Sequence, residues 1–384
     1  MSKESQDKLI KRIARLAKQN QELEDRIKKL LKENEKLVNQ LERQKALPGR
    51  MSPGAIEKEA PSLADLRSLK FKMATVLFAD VHGFTRVMGD SDSAELIDEL
   101  DEILYNFDRI AEHYKIKKIK TIGDTYMCAG GIPVKNITNP IDVVMAALEM
   151  QNYLRKHEKS RRKGNGQVWD LKIGIHTGPV TANISGKKKV SYDIKGDTVN
   201  TASRVEGVSG DGKILISLMT YELVKEFFQC EYYGKLPVKY KGDLDMYFVN
   251  GIRPELRGAG KAEPNKLFMN KLLMLKIQDL EDYYFDWYAE NVPADFVFHN
   301  LKFIKNICTQ TELLATAGQL GDDEILGLRL AALFVKAGML EDYSEPLEHS
   351  LAKMKEMAPG FGFSDAYIEP VSYTHLTLPT KRIV

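Results

Sequence analysis

Cysteine is scarce: Cys128, Cys230 and Cys308 are the only three in 384 residues. They lie too far apart for a disulfide framework or a metal-ligand spacing. That excludes a disulfide-stapled scaffold and makes a reduced cytoplasm the expected location. Long apolar runs are also missing. None approaches the roughly 18 residues that a membrane span needs, and the first residues lack a signal-peptide core. Net charge is nearly absent, with 56 basic against 54 acidic side chains. This balance gives no footing for a nucleic-acid partner. The basic clusters at 156–163 and 187–189 read as solvated loops. The length allows two domains with a core in each.

What is present begins with a heptad pattern over residues 6–45. Leu9, Leu16, Leu23, Leu30 and Leu37 fall at d, and Ile13, Asn20, Ile27, Asn34 and Leu41 at a. Ile and Asn at a with Leu at d favours two parallel strands, because a buried Asn finds its partner in its own copy. Residues 1–45 are therefore expected to form a parallel coiled-coil dimer. Pro48, Gly49, Pro53 and Gly54 then break the helix, and 46–69 reads as a linker. From residue 70 the texture becomes α/β. Strands are expected at 73–79, 116–122, 126–129, 171–176 and 180–184, with helices at 93–114, 140–159 and 198–205. Gly123-Asp124 marks a tight hairpin. The order β-α-β-β-α-β is the split, ferredoxin-like arrangement of an α+β fold. Past residue 254 the pattern is helical throughout.

Two clusters carry chemistry. Asp80 closes an apolar strand, and Asp124 sits at the neighbouring hairpin tip. Carboxylates at adjacent strand ends can share hard divalent cations with substrate phosphates, although an Asp at a strand end is also a common turn or cap residue. Gly83-Phe84-Thr85, leading into a helix, offers backbone N–H groups to phosphate oxygens. In the second cluster Asn200 and Arg204 are four apart on a helix and share a face. An amide and a guanidinium fork suit ribose and phosphoryl oxygens, and they equally suit a plain surface pair. Spacing alone leaves a ligand role for the His82 side chain open. His176 is expected to be structural.

The segments FADVHGFT, KTIGDTYM, GIHTGPV and YDIKGDTVNTASRVE together resemble the signature blocks of class III nucleotidyl cyclases, in the family's order, over residues 71–253. The resemblance implies that Asp80 and Asp124 hold two Mg²⁺ or Mn²⁺ ions, with the Val81 carbonyl as a further ligand. It implies that Asn200 and Arg204 position the ribose and stabilise the transition state. Lys241 matches the lysine that binds the terminal phosphates, and Lys172 a residue contacting pyrophosphate. Lys120 and Asp193 match the pair that reads adenine, where guanylyl cyclases usually carry Glu and Cys. In the family the metal aspartates of one chain face the purine-reading residues of the other. This chain holds both halves, so a homodimer with two composite sites is expected.

These readings give an α+β cyclase domain at 70–255 that converts ATP to cyclic AMP and pyrophosphate. The alternatives are a guanylyl cyclase and a nucleotide-binding pseudocyclase serving as a coiled-coil adaptor. Residues 256–370 weakly resemble an HD phosphohydrolase domain. His299 stands at its first position, but Val335-Lys336 replaces the His-Asp pair, Pro346 stands near an expected histidine, and His349 is out of register. A helical regulatory or packing module is expected there, not a phosphodiesterase. The last residues, VSYTHLTLPTKRIV at 371–384, resemble translated sequencing-adapter read-through and are expected to lie outside the fold.

Overall fold

The computed structural model describes residues 68–82, 93–161, 169–185, 191–238, 242–260, 263–293, 296, 299–342 and 346–374. The heptad segment, the linker up to residue 67, the Gly83-Phe84-Thr85 turn and Lys241 lie outside these residues.

The first strand, β1 (Ser68–His82), sits centrally in a mixed sheet. It is followed by helix α1 (Ser93–His113), the hairpin β2 (Lys117–Ile122) and β3 (Thr125–Gly130), helix α2 (Asn139–Arg161) and the long β4 (Asp170–Ser185). The strand order β2-β3-β1-β4, with every neighbour antiparallel, is the expected ferredoxin-like core. Gly123 takes a φ of 63° at the hairpin, a conformation that costs glycine little. β5 (Ser191–Lys195) pairs with the far half of β4. Helix α3 (Asp197–Gly207) then leads to β6 (Lys213–Ser217), helix α4 (Leu218–Val224), and the hairpin of β7 (Phe228–Val238) and β8 (Gly242–Ile252). These extend the sheet beyond β4 in the order β6-β8-β7.

Alternation along the strands gives the sheet two different faces. Leu77, Ala79 and Val81 of β1, Tyr126 and Cys128 of β3, and Ile173 and Ile175 of β4 point into a core shared with Ile103, Phe107, Val144 and Leu148 of α1 and α2. Val76 and Phe78 face the other way, with Met127 and Ala129. Asp80 and His82 continue that second series.

One expectation needs correcting. The sequence reads as separate strands at 171–176 and 180–184, with Gly178-Pro179 between them. The structure instead has one continuous strand. Pro179 lacks a ladder donor, but it faces the irregularity in β1 where pairing jumps from Phe71↔Val180 to Ala74↔Gly178. No ladder bond is asked of it there, so the strand runs on.

The helical region comprises α5 (Lys266–Asn291), α6 (Leu301–Ala317), α7 (Asp322–Phe334), α8 (Pro346–Met357) and α9 (Asp365–Thr374). Phe268 and Leu272 at the start of α5 belong to the sheet's main core, and Phe268 meets Phe227 edge-on at 5.2 Å. Further along, Ile277, Tyr284 and Tyr288 join a second core with Leu326, Phe334, Met354 and Phe363. Val371, the first residue of the suspected foreign tail, is buried in that second core. Polar ties fasten the helices to the sheet domain. The Asp279 carboxylate accepts from the Ile137 N–H at 3.1 Å, Lys276 pairs with Asp142 at 3.6 Å, and Lys115 donates to the Gly360 carbonyl at 2.7 Å.

Candidate active site

Three strands bring the acidic cluster together. In register, Asp80 lies opposite Thr125 on β3 and opposite Lys172 on β4. Directly opposed residues of antiparallel strands project to the same face, so Thr125, Asp80 and Lys172 form one row. The Thr125 hydroxyl donates to Asp80 Oδ1 at 3.2 Å. The Val81 N–H donates to the Asp124 carbonyl at 3.2 Å, which ties the hairpin tip to the end of β1. His82, two residues along, shares Asp80's face, and its Nε2 lies 3.1 Å from Asp80 Oδ2.

The fourth contributor arrives from above the sheet. Gly174, two residues past Lys172, carries no side chain, and α3 rests directly on it: a Cβ there would lie 2.0 Å from the Glu206 nitrogen. That close seating places Glu206 over the row. Asp80, His82 and Glu206 each present a ligand atom within 4.8 Å of one another. Glu206 ends the YDIKGDTVNTASRVE block, yet sequence reasoning assigned it no role. The available signal was Gly174, which lies on Lys172's face of the strand and is bare enough to admit a helix.

Electrostatics follow from this crowding. Burial raises the Asp80 carboxyl above its ordinary range; the nearby His82 opposes the rise and the Asp124 carboxylate adds to it. Burial, then the Asp80 charge, pushes Glu206 up to about 7, with Lys172 pulling the other way and Asp124 adding. Lys172 itself also pairs with Asp211 at 3.4 Å. Carboxylates that repel one another with little compensating charge are under-neutralised. Such an oxygen-rich set fits a hard divalent cation. Among the described residues, no other group of this kind occurs, and none occurs around His299 or His349. The His299 carbonyl accepts from the Tyr288 hydroxyl at 2.7 Å, while His349 lies 3.1 Å from Glu341.

A second site pair also forms. Lys120 on β2 lies opposite Met127, hence on Asp80's face, and its Nζ donates to Asp193 Oδ1 on β5 at 3.2 Å. Ile194, the neighbour of Asp193, is buried with Phe71, Phe78 and Met127, which holds β5 against this face. Each side chain of the Lys120–Asp193 pair is 46% exposed, so a ligand can reach both. Asn200 and Arg204 are exposed on α3, whose inner side is formed by Thr198, Thr201, Ala202 and Val205. One chain therefore gathers the acids and, separately, the Lys–Asp pair, and leaves Asn200 and Arg204 facing outward. His176 is buried and its Nδ1 lies 2.6 Å from the Ser217 hydroxyl, a structural contact as expected.

Residues 66–251 match the adenylate and guanylate cyclase catalytic domain. Human guanylyl cyclase C is 34% identical over 189 residues, covering 48% of this chain and 17% of its own length. An adenylate cyclase of Mycobacterium tuberculosis is 33% identical over 228 residues, covering 57% of this chain and 50% of its own length. The chain thus spans half or less of these relatives. Among solved structures, an adenylyl cyclase from P. aeruginosa aligns at 29% identity over 49% of this chain and 98% of that one, with a TM-score of 0.45. Residues 66–251, just under half of this chain, are thus similar to the catalytic domain shared by adenylate and guanylate cyclases.

Proposed function

We propose that the chain is an adenylyl cyclase that forms 3′,5′-cyclic AMP and pyrophosphate from ATP. The observation that carries the choice of purine is the Lys120–Asp193 pair, 3.2 Å apart and half exposed. Adenine presents an amino donor at position 6 and an acceptor at N1, and guanine reverses both. A Lys donor beside an Asp acceptor matches adenine, and the same pair would set a donor against a donor on guanine. Similarity to both adenylate and guanylyl cyclases leaves the decision to these side chains.

In this reading the ribose 3′-oxygen attacks the α-phosphorus, the bond to the β-phosphate oxygen breaks, and the hydroxyl proton passes to solvent. Asp80, Asp124 and the Val81 carbonyl would hold two Mg²⁺ or Mn²⁺ ions. Bound there, such ions lower the pKa of the 3′-hydroxyl and offset phosphate charge. Lys172 and Lys241 bind the phosphates, with the Phe84 and Thr85 backbone beside them. Asn200 orients the ribose, and Arg204 meets the charge that develops on the α-phosphoryl group. Asn200 and Arg204 face outward from their own chain. A second copy brings them to the acids, so the working unit is a homodimer. The heptads of residues 6–45 raise the local concentration of the two domains. The helical region serves as a regulatory module.

The test is turnover of ATP and GTP side by side with Mg²⁺ or Mn²⁺, the product identified by mass spectrometry. Cyclic AMP as the dominant product supports the reading. Dominant cyclic GMP replaces it with a guanylyl cyclase, and tight nucleotide binding with no cyclic product replaces it with a pseudocyclase.

A further inference from the structure

His82 is not needed by the two-aspartate scheme, yet it stands inside the acidic cluster. Its ring is 34% exposed on the side-chain average. Even so, Nε2 is buried and makes no hydrogen bond. That atom is aimed at Asp80 Oδ2, 3.1 Å away. The position is not a loose end of the chain, because His82 remains paired with Asp170 in the β1–β4 ladder, and the preceding Val81 N–H is tied to the hairpin tip. The backbone thus fixes where the ring begins. Glu206 closes the group from α3, with the three ligand atoms within 4.8 Å of one another.

Donor chemistry then discriminates between ions. Mg²⁺ is hard, binds oxygen, and sheds water reluctantly. First-row divalent cations accept an imidazole nitrogen: Fe²⁺, Ni²⁺ and Zn²⁺ take it most readily, and Mn²⁺ takes it beside carboxylates. We infer that His82 Nε2 joins the Asp80 and Glu206 carboxylates as a nitrogen ligand to a divalent cation. The inference rests on the cyclase reading for the presence of a metal at Asp80. It adds a nitrogen ligand that the aspartates alone do not give.

The experiment uses the full chain, freed of metal with a chelator and titrated with Mn²⁺ alone. The electron paramagnetic resonance signal of free Mn²⁺ reports binding, and electron spin-echo modulation reports nitrogen bonded to the ion. Wild-type protein is expected to show ¹⁴N modulation, which is lost in His82→Val. Affinity for Mn²⁺ should fall about tenfold or more, the loss that even an outer-sphere partner of a metal site causes. Affinity for Mg²⁺, measured by competition, should change far less. Absence of ¹⁴N modulation in wild-type protein overturns the assignment without relying on any variant to fold. So does Mn²⁺ binding that His82→Val leaves unchanged, and so does wild-type protein that takes up no Mn²⁺. Cyclic-nucleotide production, measured separately on the same wild-type sample, decides the cyclase reading. A cyclase without the nitrogen signal removes only the His82 ligand, and a nitrogen signal without any cyclic product removes only the enzyme.

Discussion

Replacing Gly174 by Ala puts one methyl group where α3 crosses β4. Its Cβ would lie 2.0 Å from the Glu206 nitrogen and 2.3 Å from the Glu206 Cα. Both neighbours are backbone, so no side-chain rotation relieves the clash. To restore a 3.4 Å separation, α3 must retreat by about 1.4 Å. Overpacking of this kind costs about 1–3 kcal/mol, a fall in melting temperature of roughly 3–10 °C. Function should suffer more than stability. The helix carries Asn200, Arg204 and Glu206, and a displacement of about 1 Å in a positioned group can reduce turnover roughly 100-fold. Gly178→Ala is the internal comparison. There the new Cβ meets the Thr198 hydroxyl at 2.6 Å, a side-chain atom that can swing aside. The hydrogen bond from Thr198 to the Pro179 carbonyl would be lost, at about 1 kcal/mol. Thermal melts and ATP turnover on both variants read the difference. If Gly174→Ala melts and turns over like wild type, α3 is not seated on β4 as described, and the placement of Glu206 over Asp80 fails with it.

Other outcomes follow from the same structure. Exchanging Lys120 for Glu and Asp193 for Cys should move preference from ATP toward GTP in competition assays; an unchanged preference refutes the purine-reading pair. Asp279, clamped on the Ile137 N–H, is pushed up to about 6 mainly by burial. A folded carboxyl that binds its proton more tightly than the unfolded one costs stability as pH rises from the ordinary carboxylate value near 4 to about 6. Asp279→Asn keeps an acceptor for Ile137 and removes the titration. Its melting temperature should therefore fall less than that of wild type across this window, and parallel curves would contradict the clamp.

Much of this was legible in the chain because it rests on local alternation. Asp80 ends an apolar strand, Gly123 supplies the positive φ of a tight hairpin, and Ile103 and Phe107 repeat at helical spacing, so the ferredoxin-like core could be read directly. The long β4 could not, because Gly178-Pro179 looks like a break until the β1 irregularity opposite it is known. Strands β5 to β8 escaped the reading, although β5 pairs with the adjacent end of β4 and β7 with β8 in a hairpin; β6 alone is held wholly by strands distant in sequence. The meeting of Lys120 with Asp193, 73 residues apart, followed from family resemblance alone. Glu206 was missed for a similar reason. Its proximity to Asp80 comes from a helix lying across a bare glycine, and no period in the sequence encodes a crossing.

The central claim is that acids from one chain and Arg204 from its partner share one substrate. Co-expressing Asp80→Ala and Arg204→Ala chains under separate tags, and isolating the mixed dimer, tests this most directly. Each variant alone should be inactive. Two-fold symmetry places both lesions in one composite site and leaves the other intact, so the mixed dimer should recover about half the wild-type rate. A mixed dimer as inactive as its parents would contradict the composite site and show that each centre is built within a single chain.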